Sequence, residues 1–273
     1  MNTIAALTVL VGSLVAAAGI IAYPRLRLLV RGPARLSEAE RRRLWALLPW
    51  RGLLDARQRA RMPRLAAQLI ADVRFIGCQG LEITDDMRLV VAGQASLLCL
   101  GATPGAFTLP SEVLIYPDAF YIPQTWPDEQ GLMDDLPLLA SGEAWDDSRV
   151  VLSWADIEAA LVGAEHNVVL HEFAHLLDFA APSQEGAPPL DDADDWTHVF
   201  GAAFETLRER GSPVIDIYGA ENPAEFFAVA VEAFFQRGAE LAAAHRDLYR
   251  LMAAYFDIDT AREPPEFSNA IPS

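Results

Sequence analysis

The run Val168–Phe179 is apolar on every side of a predicted helix, yet it carries four side chains that can be charged. His171 and His175 stand four residues apart, and Glu172 follows the first of them. A helix that is hydrophobic all round is predicted to be buried. Burying these side chains is costly unless partners satisfy them. Any fold of this chain must therefore bring such partners to this helix.

The spacing of the two histidines predicts a metal site. Residues four apart lie on the same helix face, so both imidazoles can bind one metal ion. Glu172 is rotated by about 100° from His171, which places it beside the ligands rather than among them. The pattern H-E-x-x-H therefore predicts two zinc ligands, with Glu172 as the general base for a zinc-activated water.

A catalytic zinc site needs a third protein ligand, and a later segment offers two carboxylates for it. In Tyr218–Phe235, Pro223 is typical of a first helical position and Asn222 of a helix cap. Glu225 then lies in the first turn, and Glu232 lies two turns later on the same face. The remaining helix positions are apolar, so both carboxylates are predicted to need a neutralising partner.

These two segments, "HNVVLHEFAH" and "YGAENPAEFFAVAVEAFF", resemble the Mlc titration factor A family of zinc peptidases. Further stretches such as "EVLIYPDAFYIP" and "RDLYRLMAAYFDID" look like the same family, so the resemblance covers about residues 36–260. The family's catalytic domain is similar to that of anthrax lethal factor. The resemblance implies that zinc is bound by His171, His175 and Glu225. It also implies that Glu172 is the general base and that Tyr218 supports the oxyanion.

Strand patterns in the first part of the chain and helical patterns after them predict an α+β fold. The resemblance implies that this fold is a zincin-like metallopeptidase domain, which would hydrolyse a peptide or protein substrate. It also implies a second activity, the sequestration of a transcriptional repressor. The alternative hypothesis is therefore a binding protein whose zinc site is only structural. A third, a membrane scaffold, would need only an anchor and basic helices.

The N-terminal run Thr3–Tyr23 has no charged residue and is long enough to cross a bilayer core of about 30 Å. Arginines follow this run rather than precede it, which favours an uncleaved transmembrane helix over a cleaved signal peptide or a soluble helix. The expected location is the inner (cytoplasmic) membrane, with a single pass and the catalytic domain facing the cytoplasm. The predicted parts are an anchor at 1–24, a basic helical segment at 25–70 and the zinc peptidase domain at 71–273.

The net charge is −17, although residues 1–70 hold twelve arginines against three acidic residues. The acidic remainder argues against nucleic acid as a partner, because phosphate binding needs clustered positive charge. The arginines of the basic segment could face anionic lipid or simply be solvated. Cys78 and Cys99 have no metal-binding pattern around them, so we expect buried free thiols rather than a disulfide.

Local patterns predict further elements. Ser37 and Glu40 form a capping box for a first helix, and a second helical pattern at Asp55–Phe75 is interrupted near Pro63. Residues 80–101 are predicted to form a short strand and a helix. Strands are expected at Glu112–Pro123, where an edge could pair with a bound peptide, and at Ser148–Trp154. Between them, Trp126–Asp147 is expected to be a loop. Helical runs are expected at Trp196–Arg210, Pro223–Arg237 and Glu240–Phe256.

Some polar residues near the predicted site allow two interpretations. Glu232 could lie behind a zinc ligand or at the surface. Asp178 could hold a ligand imidazole through its free N–H, or be an exposed residue at a helix end. His166 lies off the ligand face, which favours a capping or packing role, and His198 and His245 are expected at the surface or in packing.

Overall fold

The computed structural model describes residues 34–101, 109–122, 138–140, 142–146, 149–181, 186–190 and 194–267. Within these ranges, no helix is both long and apolar enough to cross a membrane. The longest two, at Ala56–Asp72 and Asp194–Arg210, have 17 residues each and carry several charges. This finding overturns the predicted inner-membrane location for the part of the chain that the structure describes. The predicted anchor at Thr3–Tyr23 lies outside the described residues.

The first described elements are two helices, and the first of them follows its predicted cap. The capping box at Ser37 is confirmed, because its hydroxyl accepts from the Glu40 N–H and the Glu40 carboxylate accepts from the Ser37 N–H. It starts α1 (Glu38–Leu47), and a 3₁₀ turn at Pro49–Leu53 leads to α2 (Ala56–Asp72). The expected interruption of α2 near Pro63 is wrong, since the helix continues through that buried proline.

A four-stranded mixed sheet lies at the middle of the chain. It has the order β1 (Arg74–Gly77), β2 (Glu112–Tyr116), β6 (Arg149–Ser153) and β5 (Gly142–Asp146). The first three strands run parallel, and β5 pairs antiparallel with β6. β3 (Phe120–Ile122) and β4 (Leu138–Ala140) form a separate antiparallel pair.

This topology corrects three expectations. The stretch Trp126–Asp147, expected to be a loop, contains β4 and β5. β2 is an inner strand paired on both sides, so it is not the expected edge for a bound peptide, whereas β3 in the same stretch pairs with β4 alone. The short strand expected just before α3 (Asp85–Leu98) is instead β1, which ends at Gly77.

The second half of the chain is helical. Its elements are α4 (Trp154–Leu161), α5 (Val168–Ala180), α6 (Asp194–Arg210), a 3₁₀ turn (Ile217–Ala220), α7 (Pro223–Gln236), α8 (Gly238–Ala244) and α9 (Arg246–Phe256). The last helical run is thus broken in two at His245, whose Nε2 lies 2.8 Å from Ser212 Oγ. Cys78 and Cys99 are free as predicted, although each is only partly buried.

One hydrophobic core extends from α1 to the residues after α9, with α5 and α7 near its centre. Phe173 on α5 and Phe226 and Phe234 on α7 are fully buried. Trp50 is also fully buried, and its indole N–H donates to the Phe235 carbonyl at 2.9 Å. The N-terminal helices and α7 therefore share one core.

We expect Trp50→Ala to lower the free energy of unfolding by about 3–5 kcal/mol, the usual range for removing a buried aromatic side chain. Trp45→Ala is the matched control, because Trp45 is only partly buried at the same core. Urea unfolding followed by circular dichroism measures both. An equal loss in the two variants would contradict the central place given to Trp50.

Candidate metal centre

Three predicted ligand side chains meet where α5 packs beside α7. His171 Nε2 lies 3.1 Å from Glu225 Oε2 and 3.2 Å from His175 Nε2. His175 Nε2 lies 3.5 Å from the same Glu225 oxygen. Two nitrogens from one helix and one oxygen from another therefore form a nearly regular triangle.

The ends of the two helices place these side chains. The Asn167 side chain caps α5 by accepting from the Leu170 N–H at 3.1 Å. Asn222 caps α7 in the predicted way, accepting from the Glu225 N–H at 3.0 Å, with Pro223 at the first helical position. Glu225 consequently lies in the first turn of α7, next to the middle of α5.

The triangle suits a tetrahedral zinc ion. Three ligand atoms about 2.0–2.1 Å from one such ion lie roughly 3.3–3.4 Å from one another, close to the observed separations. Imidazole nitrogens and a carboxylate oxygen are also donors that zinc prefers. His171, His175 and Glu225 could therefore hold a metal ion without rearrangement.

Glu232 lies behind His171, which agrees with the first of its two interpretations. Its buried carboxylate accepts from His171 Nδ1 at 2.7 Å through Oε1. Through Oε2 it accepts from His166 Nδ1 at 2.7 Å and from the backbone N–H of Asn167. The bond from Nδ1 places the proton of a neutral His171 on that nitrogen, which leaves Nε2 free for a metal.

Glu172 and Tyr218 lie beside the triangle on different elements. Glu172 is buried, and its Oε2 has no hydrogen-bond partner among the described residues. Burial raises the pKa of Glu172 to about 7. Tyr218, in the 3₁₀ turn before α7, is about half exposed, and its ring centre lies 6.2 Å from that of His171. Burial and the nearby Glu225 raise the pKa of Tyr218, so it keeps a hydroxyl proton to donate.

The site as a whole favours positive charge. Burial alone would raise the pKa of Glu225, but hydrogen bonds with His171 and His175 outweigh it and lower that pKa to about 2. The pKa of Glu232 is likewise lowered to about 2, because bonds with His166 and His171 outweigh burial. Protons on the imidazoles or a bound cation can supply this charge.

Other predicted polar residues have different partners. Asp178 Oδ1 accepts from the Gly186 N–H at 2.7 Å and the Ala187 N–H at 3.0 Å, so Asp178 holds the loop after α5 rather than a ligand imidazole. His198 is exposed on α6. Sequence reasoning missed the contact of His166 with Glu232, because His166 precedes the cap of α5 and helix periodicity does not describe its direction.

A cavity of about 520 Å³ opens beside the candidate metal centre. One part of its lining consists of Tyr218, His166 and Glu232. The aliphatic side chains Val214 and Ile217 line another part of it. The cavity therefore gives small molecules in solution a route to the residues behind His171.

Comparison with known proteins identifies the relatives of this chain. The model of the family described as Glucose-regulated metallo-peptidase M90 matches residues 25–257. An uncharacterized protein of Synechocystis is 34% identical over 78% of this chain and 81% of its own length. Mlc titration factor A of Serratia proteamaculans is 31% identical over 78% of this chain and 84% of its own length. Mlc titration factor A of Pectobacterium atrosepticum is 30% identical over 82% of this chain and 88% of its own length. The predicted resemblance is confirmed, whereas similarity to anthrax lethal factor stays a prediction.

We expect the purified chain to bind one zinc ion, and His175→Ala to lose it because a corner of the triangle is removed. Glu225→Ala should lose zinc to a lesser extent, since both imidazoles remain. His198→Ala, an exposed histidine away from the triangle, is the control and should keep zinc. Metal analysis after dialysis measures all four proteins. Full zinc content in both ligand variants would exclude this site.

Proposed function

The chain belongs to the glucose-regulated metallo-peptidase M90 family, and from this premise we propose that it is a zinc-dependent peptidase whose site is the triangle described above. The family is one of metallopeptidases, so a metal ion and a peptide or protein substrate follow from membership. The finer proposal is supported mainly by one observation. The triangle His171–His175–Glu225 has tetrahedral zinc spacing, and the buried carboxylate of Glu172 lies next to it with one oxygen that has no hydrogen-bond partner among the described residues.

In this proposal each side chain has one task. A zinc ion held by the three ligands would polarise the scissile carbonyl and lower the pKa of a water molecule toward about 7. Glu172 takes a proton from the attacking water and passes it to the leaving amine. Tyr218 donates its hydroxyl proton in a hydrogen bond to the oxyanion of the tetrahedral intermediate. Glu232 keeps the proton of His171 on Nδ1.

The sheet suggests where an extended substrate lies. Among the described strands, β5 is an edge strand, and it packs against α5. An edge strand presents unpaired backbone N–H and C=O groups with which a peptide can pair. We therefore place the substrate along β5, because this edge packs against the helix that carries His171 and His175.

A binding role is the second candidate. Two of the relatives are named for titrating Mlc, and a protein partner of that kind is proposed for this chain on that basis alone. A purely structural zinc site closes its fourth position with protein and needs no base. The buried Glu172 carboxylate beside the triangle, with an oxygen left unpaired by every residue that the structure describes, therefore favours catalysis.

Glu172→Gln is expected to keep zinc and the fold but to lose peptide hydrolysis. The amide cannot take a proton from water, and general bases contribute about 10²–10⁴-fold, so we expect a loss near the top of that range. Tyr218→Phe should lose about 10–10³-fold, because one oxyanion donor is removed while the other groups remain. Rates of peptide hydrolysis at equal zinc occupancy measure both.

The same variants separate catalysis from partner binding. If binding uses another surface, both should bind a protein partner as the parent does. Unchanged hydrolysis by Glu172→Gln would refute the catalytic proposal and leave the zinc as a structural element of a binding protein.

A further inference from the structure

A chain of hydrogen bonds leads from the cavity to the back of the candidate metal centre. His166 Nδ1 lies 2.7 Å from Glu232 Oε2, and Glu232 Oε1 lies 2.7 Å from His171 Nδ1. The carboxylate between the two rings is buried, with only 5% of its side chain exposed. Each oxygen of Glu232 therefore holds a different histidine.

His166 is not itself one of the three ligands in the triangle. It directly precedes Asn167, the cap of α5, so its backbone is fixed to the start of the helix that carries His171. Its side chain is 52% exposed and lines the cavity of about 520 Å³. The hydrogen bond from His166 restricts the orientation of the buried Glu232 carboxylate.

The geometry of Glu232 explains what this orientation does. Oε2 accepts from two donors, the imidazole of His166 and the backbone N–H of Asn167. Two donors on one oxygen restrict rotation of the carboxylate and so fix the position of the other oxygen. With Oε1 fixed, His171 has one favourable ring orientation, and its Nε2 points toward Glu225 and His175.

We propose that His166 is a positioning residue, which acts through Glu232 to hold the ring and the proton of His171 in the arrangement needed for metal binding. The inference rests on the proposed function, because it takes His171 as a metal ligand. His166 would thus be a functional residue in addition to the three proposed ligands, the general base Glu172 and the oxyanion donor Tyr218. Groups that orient metal ligands in this way are typically worth about 10–100-fold in metal affinity.

The experiment measures zinc affinity of the full chain by competition with a chromophoric chelator. We expect His166→Ala to bind zinc about tenfold more weakly, at the low end of that range because the Asn167 N–H still holds Glu232. His166→Gln, whose amide can donate in place of the ring, should recover most of the affinity. His198→Ala, which removes an exposed histidine from α6, should match the parent.

Chemical rescue gives a readout that a merely structural role would not change. His166→Ala would leave space open to the cavity, so added imidazole can replace the missing ring and should restore zinc affinity. The same imidazole concentrations added to the parent correct for imidazole that binds zinc directly. Thermal unfolding of the metal-free proteins shows whether the variant is still folded at the assay temperature, since His166→Ala removes one hydrogen bond from the buried Glu232 carboxylate.

The outcomes separate this inference from the proposed function. Zinc binding by the parent with equal affinity in His166→Ala would overturn the role of His166 and leave the metal site intact. A weakened His166→Ala that neither imidazole nor the glutamine variant restores would show a general structural defect, which also overturns it. Absence of zinc binding by the parent would overturn the proposed function and this inference together.

Discussion

The hydrogen bond from His171 Nδ1 to Glu232 connects the two helices on which the candidate metal centre depends. Apolar packing has no preferred direction, and α5 and α7 are apolar over most of their surfaces. A buried hydrogen bond, in contrast, requires a short distance and a narrow range of angles. This bond therefore sets the register between the helices. As a result, Glu225, two turns before Glu232 on α7, lies beside the imidazoles of His171 and His175.

The parts of the site that lie inside helices could be predicted from the sequence. A helix repeats every 3.6 residues, so the spacing of His171 and His175 and that of Glu225 and Glu232 each specify a face. The apolar neighbours of these residues indicate burial, and burial requires partners for charged groups. These two rules predict that the faces meet. The cap at Asn222 is equally local and was predicted for the same reason.

The remaining features depend on contacts between distant segments. His166 precedes its helix, so no periodicity describes where its ring points. Asp178 binds the backbone of a loop that approaches it from further along the chain. β5 has few of the residues that favour strands, and it forms a strand because β6 pairs with it. The break at His245 accompanies a bond to Ser212, which no local pattern contains. Such contacts override local preference, and a single sequence does not display them.

The bond from Trp50 to Phe235 joins residues 185 positions apart, and the candidate metal centre also draws on separate parts of the chain. Proteins are synthesised from the N-terminus, and domains form as their parts emerge. A nascent chain that has reached the end of α5 at Ala180 holds both imidazoles but none of the carboxylates of α7. Glu225 and Glu232 are added only after Pro223. The growing polypeptide thus lacks the third corner of the candidate metal centre, and the proposed site is complete only when the late helix docks on the early ones.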